Sequence, residues 1–164
     1  MDTRARVARA SGLEMAPPEG WTYAQGDDVT VVTGRNAVLG VTAHPTAPDA
    51  KQERSAREDT LELVTQRMGV AMARKKDVFW RKPDQKQKVG EIELSLYQVD
   101  GSRRGGKKGP LLVFIGKLDD GHTLVGAGFV SNDDADNADR AILKAIGSIA
   151  PSGASASDVS KASP

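Results

Sequence analysis

The stretch from Gly101 to Lys108, GSRRGGKK, comes close to a phosphate-binding loop. Gly101, Gly106 and Lys107 occupy positions the pattern requires, but Lys108 stands where a Ser or Thr hydroxyl must reach a magnesium ion. The flanking sequence is strand-like on both sides, whereas a phosphate loop delivers its anion to a helix N-terminus. The segment therefore reads as a solvated hairpin loop. A second candidate is the string Asn132, Asp133, Asp134, Asp136, Asn137, Asp139, which has the oxygen donors of a calcium loop. Counted from Asn132, however, the sixth position is Asn137 where a Gly must turn the chain, and the twelfth is Leu143 where a bidentate Glu belongs. Carboxylates in this arrangement suit a helix N-terminus, where they meet the positive end of the dipole. Glu91 and Glu93, two apart on a strand, share a face at about 6.6 Å, within reach of paired-carboxylate hydrolysis. The same spacing arises on any polar strand face, and nothing nearby would raise one pKa above the other.

Two histidines, His44 and His122, have no Ser, Cys or Asp at a triad spacing, and both read as surface or boundary residues. Cysteine is absent, which removes disulfides, thiolate nucleophiles, Cys-ligated metal sites and a Cys-borne lipid anchor. No catalytic, cofactor-binding or metal-ligating residue is assigned, no cofactor is expected, and the chain reads as a non-enzyme. The remaining chemical signal is charge. The chain carries a net charge of +1, yet residues 74 to 108 hold eleven basic and five acidic side chains. Phe79 and Trp80 lie within that stretch, the mixture of cation and ring that single-stranded nucleic-acid binders use. A pI of about 8.0 falls short of the basicity such binders show, so nucleic acid is disfavoured. A partner-facing charged edge fits better, since basic side chains also deter edge-to-edge strand pairing. The candidate partner-binding residues are Arg74, Lys75, Lys76, Trp80, Arg81, Lys82, Arg103, Arg104, Lys107 and Lys108.

The elements that must hold these residues follow from periodicity. With 164 residues, 38% of them hydrophobic, the chain suits one domain with an aliphatic core. VTVVT (29 to 33) and AVLGVTAH (37 to 44) flank Gly34-Arg35-Asn36 as a hairpin. In EIELSLYQV, Ile92, Leu94 and Leu96 share one face, while Glu91, Glu93, Ser95 and Tyr97 form a wetter one. Leu111 to Ile115 is apolar on both faces and predicts a central strand covered above and below. Asp119-Asp120-Gly121 turns it into HTLVGAGFV, which completes an antiparallel meander. A Ser55/Glu58 capping box, the stripe Leu61, Val64, Met68, and Gly69 predict a helix over 55 to 68. A last helix follows the acidic string and buries Ala138, Ile142, Ala145, Ile146 and Ile149 before Pro151. The expected fold is α+β, an antiparallel sheet meander with helices packed on both faces. Residues 1–12 are expected to form a flexible N-terminal arm, 13–150 a single α+β domain, and 151–164 a disordered C-terminal tail. No apolar run spans a bilayer and the start lacks a signal-peptide core, so the chain reads as cytoplasmic as written, or exported if a leader preceded Met1.

The segments PPEGWTY, VTVVTGRNAVLGVTAHP, LELVTQRMGV, DGHTLVGAGFV and ILKAIGSIA together resemble the PsbP-like superfamily. That superfamily includes bacterial DcrB-type proteins, LpqN-type lipoproteins and a eukaryotic Ran-binding import factor. The resemblance spans residues 13 to 150 as a pattern of elements, with short matches at Gly20-Trp21, Asp120-Gly121 and Ser148-Ile149. It implies an α/β/α sandwich and a non-enzymatic, bacterial protein-binding module, an assembly factor or a chaperone or adaptor. Many bacterial members are exported or lipid-anchored; this sequence has no lipobox cysteine. A cytosolic branch, the Eag type, chaperones effectors by their apolar helices. The alternative from a different class is an anionic-ligand or nucleic-acid binder working through residues 74 to 108.

Overall fold

The computed structural model describes residues 4–10, 12–72, 78–80, 82–103, 106, 108–118, 120–131 and 135–151. In chain order, β1 (Ala5–Arg6), β2 (Leu13–Met15), β3 (Thr22–Gln25), β4 (Thr30–Thr33) and β5 (Ala37–Pro45) precede helix α1 (Ala50–Met68). Next come β6 (Val70–Met72), a 3-10 turn at Val78–Trp80, β7 (Gln85–Val89), β8 (Ile92–Arg103), β9 (Lys108–Lys117) and β10 (His122–Val130). Helix α2 (Ala135–Gly147) and β11 (Ala150–Pro151) complete the described chain. Eight strands form one antiparallel sheet in the order β3-β4-β5-β10-β9-β8-β6, with β7 also paired to β8. A small second sheet has the order β1-β2-β11.

The meander β8-β9-β10 forms as its sequence predicts, and β10 inserts between β9 and β5 with Gly126 opposite both Phe114 and Val41. Successive residues there serve opposite faces, as a period of two requires. Leu39, Phe114 and Leu124 join one apolar cluster with Ile142, Ala145 and Ile146 of α2. Their neighbours Val38, Val113 and Val125 join a second cluster with Leu61, Val64 and Met68 of α1. Small residues in the central strands let the helices approach. A Cβ at Gly128 would stand 2.7 Å from Ile142 of α2, and one at Gly40 would stand 2.8 Å from Met68 of α1. Gly69 ends α1 in the left-handed region at φ 73°, as the sequence indicates.

Four details differ from expectation. Residues 4–10 are not a loose arm: Ala5 pairs with Met15, and Ala5 and Val7 are fully buried. The Thr30 hydroxyl accepts from the Ala8 N–H at 3.0 Å and donates to the Arg6 carbonyl at 2.6 Å, which fastens the segment to β4. Alternation of Arg with Ala and Val is thus a one-sided strand pattern with very small inward residues. Helix α1 begins at Ala50, capped by Asp49, whose carboxylate accepts from the Gln52 N–H at 2.7 Å. With the cap at Asp49, upstream of Ser55, the Ser55/Glu58 pair lies inside the helix. Tyr97 is buried, its ring meeting Phe79 edge-on at 5.6 Å, because the turn at Val78–Trp80 covers that face of β8. Strands β6 and β7 extend the sheet beyond β8. The expected tail over 152–164 lies outside the described residues. Among the described residues no helix is long and apolar enough to cross a membrane.

Candidate functional site

The basic residues are the natural first candidates. Arg103 and Lys108 stand at the ends of β8 and β9, and Ser102 pairs with Lys108 across the hairpin. This loop joins two antiparallel strands, so it offers no helix N-terminus to a phosphate. Lys108 is exposed and Arg103 half-buried. A hollow of about 780 Å³ beside the hairpin is lined by Ala71, Met72, Gln98 and Ser102 together with both Asp100 and Lys108, so its charge is mixed. Lys82 is exposed and lies two residues before Asp84, whose carboxylate accepts from the Gln98 N–H at 2.7 Å. Trp80 closes the 3-10 turn. Arg74, Lys75, Lys76, Arg81, Arg104 and Lys107 lie outside the described residues. Glu91 and Glu93 are exposed, as a solvent face requires.

A polar cluster that sequence spacing does not reveal is buried at the N-terminal half of α1. His44 is only 7% exposed, which corrects its reading as a surface or boundary residue. Its Nε2 lies 3.2 Å from Glu53 Oε1 and its Nδ1 lies 3.1 Å from the Thr60 hydroxyl. Glu53 Oε1 also accepts from the Ala47 N–H at 2.9 Å, while Oε2 accepts from Arg57 Nε at 2.7 Å and from the Thr123 hydroxyl at 2.9 Å. Burial alone would raise the pKa of this carboxyl. The hydrogen bonds from Ala47, Arg57, Thr123 and His44 outweigh it and hold the value at about 2. Thr60, His44 and Glu53 stand in the order hydroxyl, imidazole, carboxylate, yet Thr60 and Thr123 are buried and every Glu53 oxygen is engaged. The cluster ties α1 to the end of β5 and the start of β10, where His44 and Thr123 are register partners. Its signals were present in sequence as a first-turn glutamate with Arg57 four residues on, but only once the helix starts at Ala50. His122 is half-buried, its Nδ1 3.2 Å from Asp120, and matches the boundary reading. Among the described residues no three His, Asp or Glu side chains gather to hold a metal ion.

The third region is a cleft of about 830 Å³ between the chain after β2 and helix α2. Pro17, Pro18, Glu19 and Gly20 form one wall and Trp21 and Tyr23 the floor. Ala141, Lys144, Ala145 and Ser148 form the other wall. The wall folds locally because Gly20 takes φ 84° and the Trp21 N–H reaches the Pro18 carbonyl at 3.1 Å. The Trp21 ring lies against Gly34, where a Cβ would overlap it. Tyr23 pairs in register with Val32 and is the exposed large hydrophobic side chain of the described residues, at 37%. The Ser148 hydroxyl accepts from the Ala16 N–H at 2.8 Å and donates to the Ala145 carbonyl at 2.6 Å, which stitches the walls together. Arg4 adds a bond to the Ser148 carbonyl at 2.8 Å. Gly20-Trp21 and Ser148-Ile149, which the sequence marks only as fold signals, converge here: the first three line the cleft and Ile149 is buried beneath.

No protein-family model matches the sequence, and no curated protein matches it. Solved structures do match in fold. A protein of Bacteroides thetaiotaomicron VPI-5482 superposes with a TM-score of 0.52 at 10% identity over 91% of this chain. This chain spans 49% of that protein's length. The Saccharomyces cerevisiae Ran-binding protein Mog1p superposes with a TM-score of 0.48 at 13% identity, covering 93% of this chain and 97% of Mog1p. A point mutant of Mog1 gives 0.48 at 12% identity, over 92% of this chain and 96% of the mutant.

Proposed function

We propose that this chain is a non-enzymatic protein-binding module with the α/β/α arrangement of PsbP- and DcrB-like proteins, serving as an assembly factor, chaperone or adaptor, and that it receives its partner in the cleft between Pro17–Tyr23 and α2. The observation that carries this reading is Tyr23, exposed on the cleft floor beside the half-buried Trp21. Aromatic side chains supply large contact area with few rotatable bonds, and they dominate the energetic centres of protein interfaces. The walls around them are held by Ser148 and by the Gly20 turn, so little ordering is needed when a partner arrives. The competing anion-binding reading has weaker support, since Lys108 shares its hollow with Asp100. The reading is tested by placing a photo-crosslinking phenylalanine analogue at position 23 of the full chain in its source cell, with a second chain labelled at exposed Glu91. Discrete protein adducts from position 23 and none from position 91 are expected. Adducts from position 91 with position 23 silent overturn the assignment of the cleft.

A further inference from the structure

We infer that the cleft takes its partner as an extended segment that adds to the outer edge of β3 and places one acidic side chain against Lys144; this rests on the protein-binding reading. Strand β3 ends the eight-stranded sheet and pairs only with β4. Thr22, Tyr23 and Ala24 are exposed, and among the described residues their backbone makes no hydrogen bond other than its pairing with β4. In an antiparallel ladder alternate residues turn N–H and C=O away from the neighbour, so this edge presents unpaired backbone groups. The other end of the sheet is defended differently. There two strands share the edge beyond β8: β6 is the short Val70–Met72, and β7 carries exposed Lys86 and Lys88, whereas Thr22-Tyr23-Ala24-Gln25 has no charge. An added strand would send alternate side chains toward Tyr23 and the cleft, which is how strand addition combines main-chain affinity with side-chain selectivity.

Charge sets the chemistry of the occupant. Lys144 is exposed on the α2 wall and has no ion-pair partner among the described residues. Glu19 stands on the opposite wall and disfavours a run of acids, so the segment that fits carries a single acidic side chain with apolar or β-branched residues beside it. A second copy of the chain fits less well. Two β3 edges meeting would share four residues apiece and leave each concave cleft unfilled, short of the area of about 1,000 Å² that a stable interface needs.

The test selects random twelve-residue peptides displayed on phage against the full chain and then uses the two most enriched, made synthetically, as probes. Both are expected to contain an acidic residue, to lose tenfold or more in affinity to Lys144→Glu and to Tyr23→Ala, and to slow amide exchange at Thr22–Gln25. N-methylation of alternate peptide amides should cost tenfold or more in one phase of the alternation and little in the other. Peptides that need Tyr23 but ignore N-methylation retain the cleft and overturn strand addition. Peptides indifferent to both Tyr23→Ala and Lys144→Glu overturn the cleft itself. Absence of enrichment, or a dimer in sedimentation that Tyr23→Ala dissolves, overturns the peptide occupant.

Discussion

The Glu53 cluster and the Trp21–Tyr23 cleft are built from opposite materials. Around Glu53 each polar group has found a partner within the chain: a backbone N–H, a guanidinium, two hydroxyls and an imidazole converge on or beside one carboxylate. Around Tyr23 the groups that converge are rings, prolines and small side chains, with a lysine and a glutamate on facing walls. A charged cluster is thus no better a sign of function than an apolar hollow; what matters is whether its bonds are already spent. The first region holds the fold together, and the second has capacity left over.

Substitutions should separate the two. Glu53→Ala leaves Arg57, Thr123 and the Ala47 N–H without their acceptor in a buried place, and a loss of about 3 to 5 kcal/mol is expected by chemical denaturation. A wild-type midpoint would remove the structural role assigned to the cluster. The same carboxyl sets an acid limit. Its folded pKa of about 2 lies below the ordinary 4.5, so its contribution is complete above pH 4.5 and declines as pH falls toward 2. Urea midpoints measured between pH 6 and pH 2 should drop over this window, and the drop should be shallower in Glu53→Gln.

Gly34→Ala reaches the cleft from below. The added methyl overlaps the Trp21 ring and must displace it, at a cost of about 1 to 3 kcal/mol and a larger proportional loss of peptide binding. Retained binding with lost stability would show that Trp21 serves packing alone. Smallest of all, Tyr23→Ala and the pair Arg103→Ser with Lys108→Ser should each shift stability by about 1 kcal/mol or less, since Tyr23 and Lys108 are exposed and Arg103 is only half-buried. They part in binding: loss with Tyr23→Ala and survival in the hairpin pair at physiological salt is expected, and the reverse would favour an anionic partner.

Strands β5, β9 and β10 were legible because continuous apolar runs bounded by turn residues mark strands covered on both faces, and Gly69 because the left-handed conformation that ends the helix there favours glycine. The Ser55/Glu58 box placed the start of α1 too late, because Asp49 caps as well as a Ser does and no local pattern ranks one above the other. Strand β1 escaped notice because alanine contributes little to any hydrophobic pattern, though Ala5 is wholly buried. Strand β7, QKQKV, is polar on both faces and is recruited by the exposed edge of β8. The sites were less legible than the fold. Charge density drew attention to Arg103 and Lys108, on the hairpin at the far end of the strand order from β3. The cleft depends instead on Ala16 meeting Ser148 across 132 residues, and no spacing within the sequence encodes that meeting.

Strand β2 has a mechanical consequence. It is flanked by β1 and β11, so Ala5 lies opposite Met15 and Pro151 opposite Leu13, and both ends of the described chain leave from one three-stranded patch. Ala16 and Ser148, which clamp the walls of the cleft, adjoin that patch in the chain. Tension applied between residues 4 and 151 is carried by these few short pairings before it loads the long strands behind them. A tether at either end would therefore pull on the mouth of the cleft first, and the eight-stranded sheet would act as the anchor.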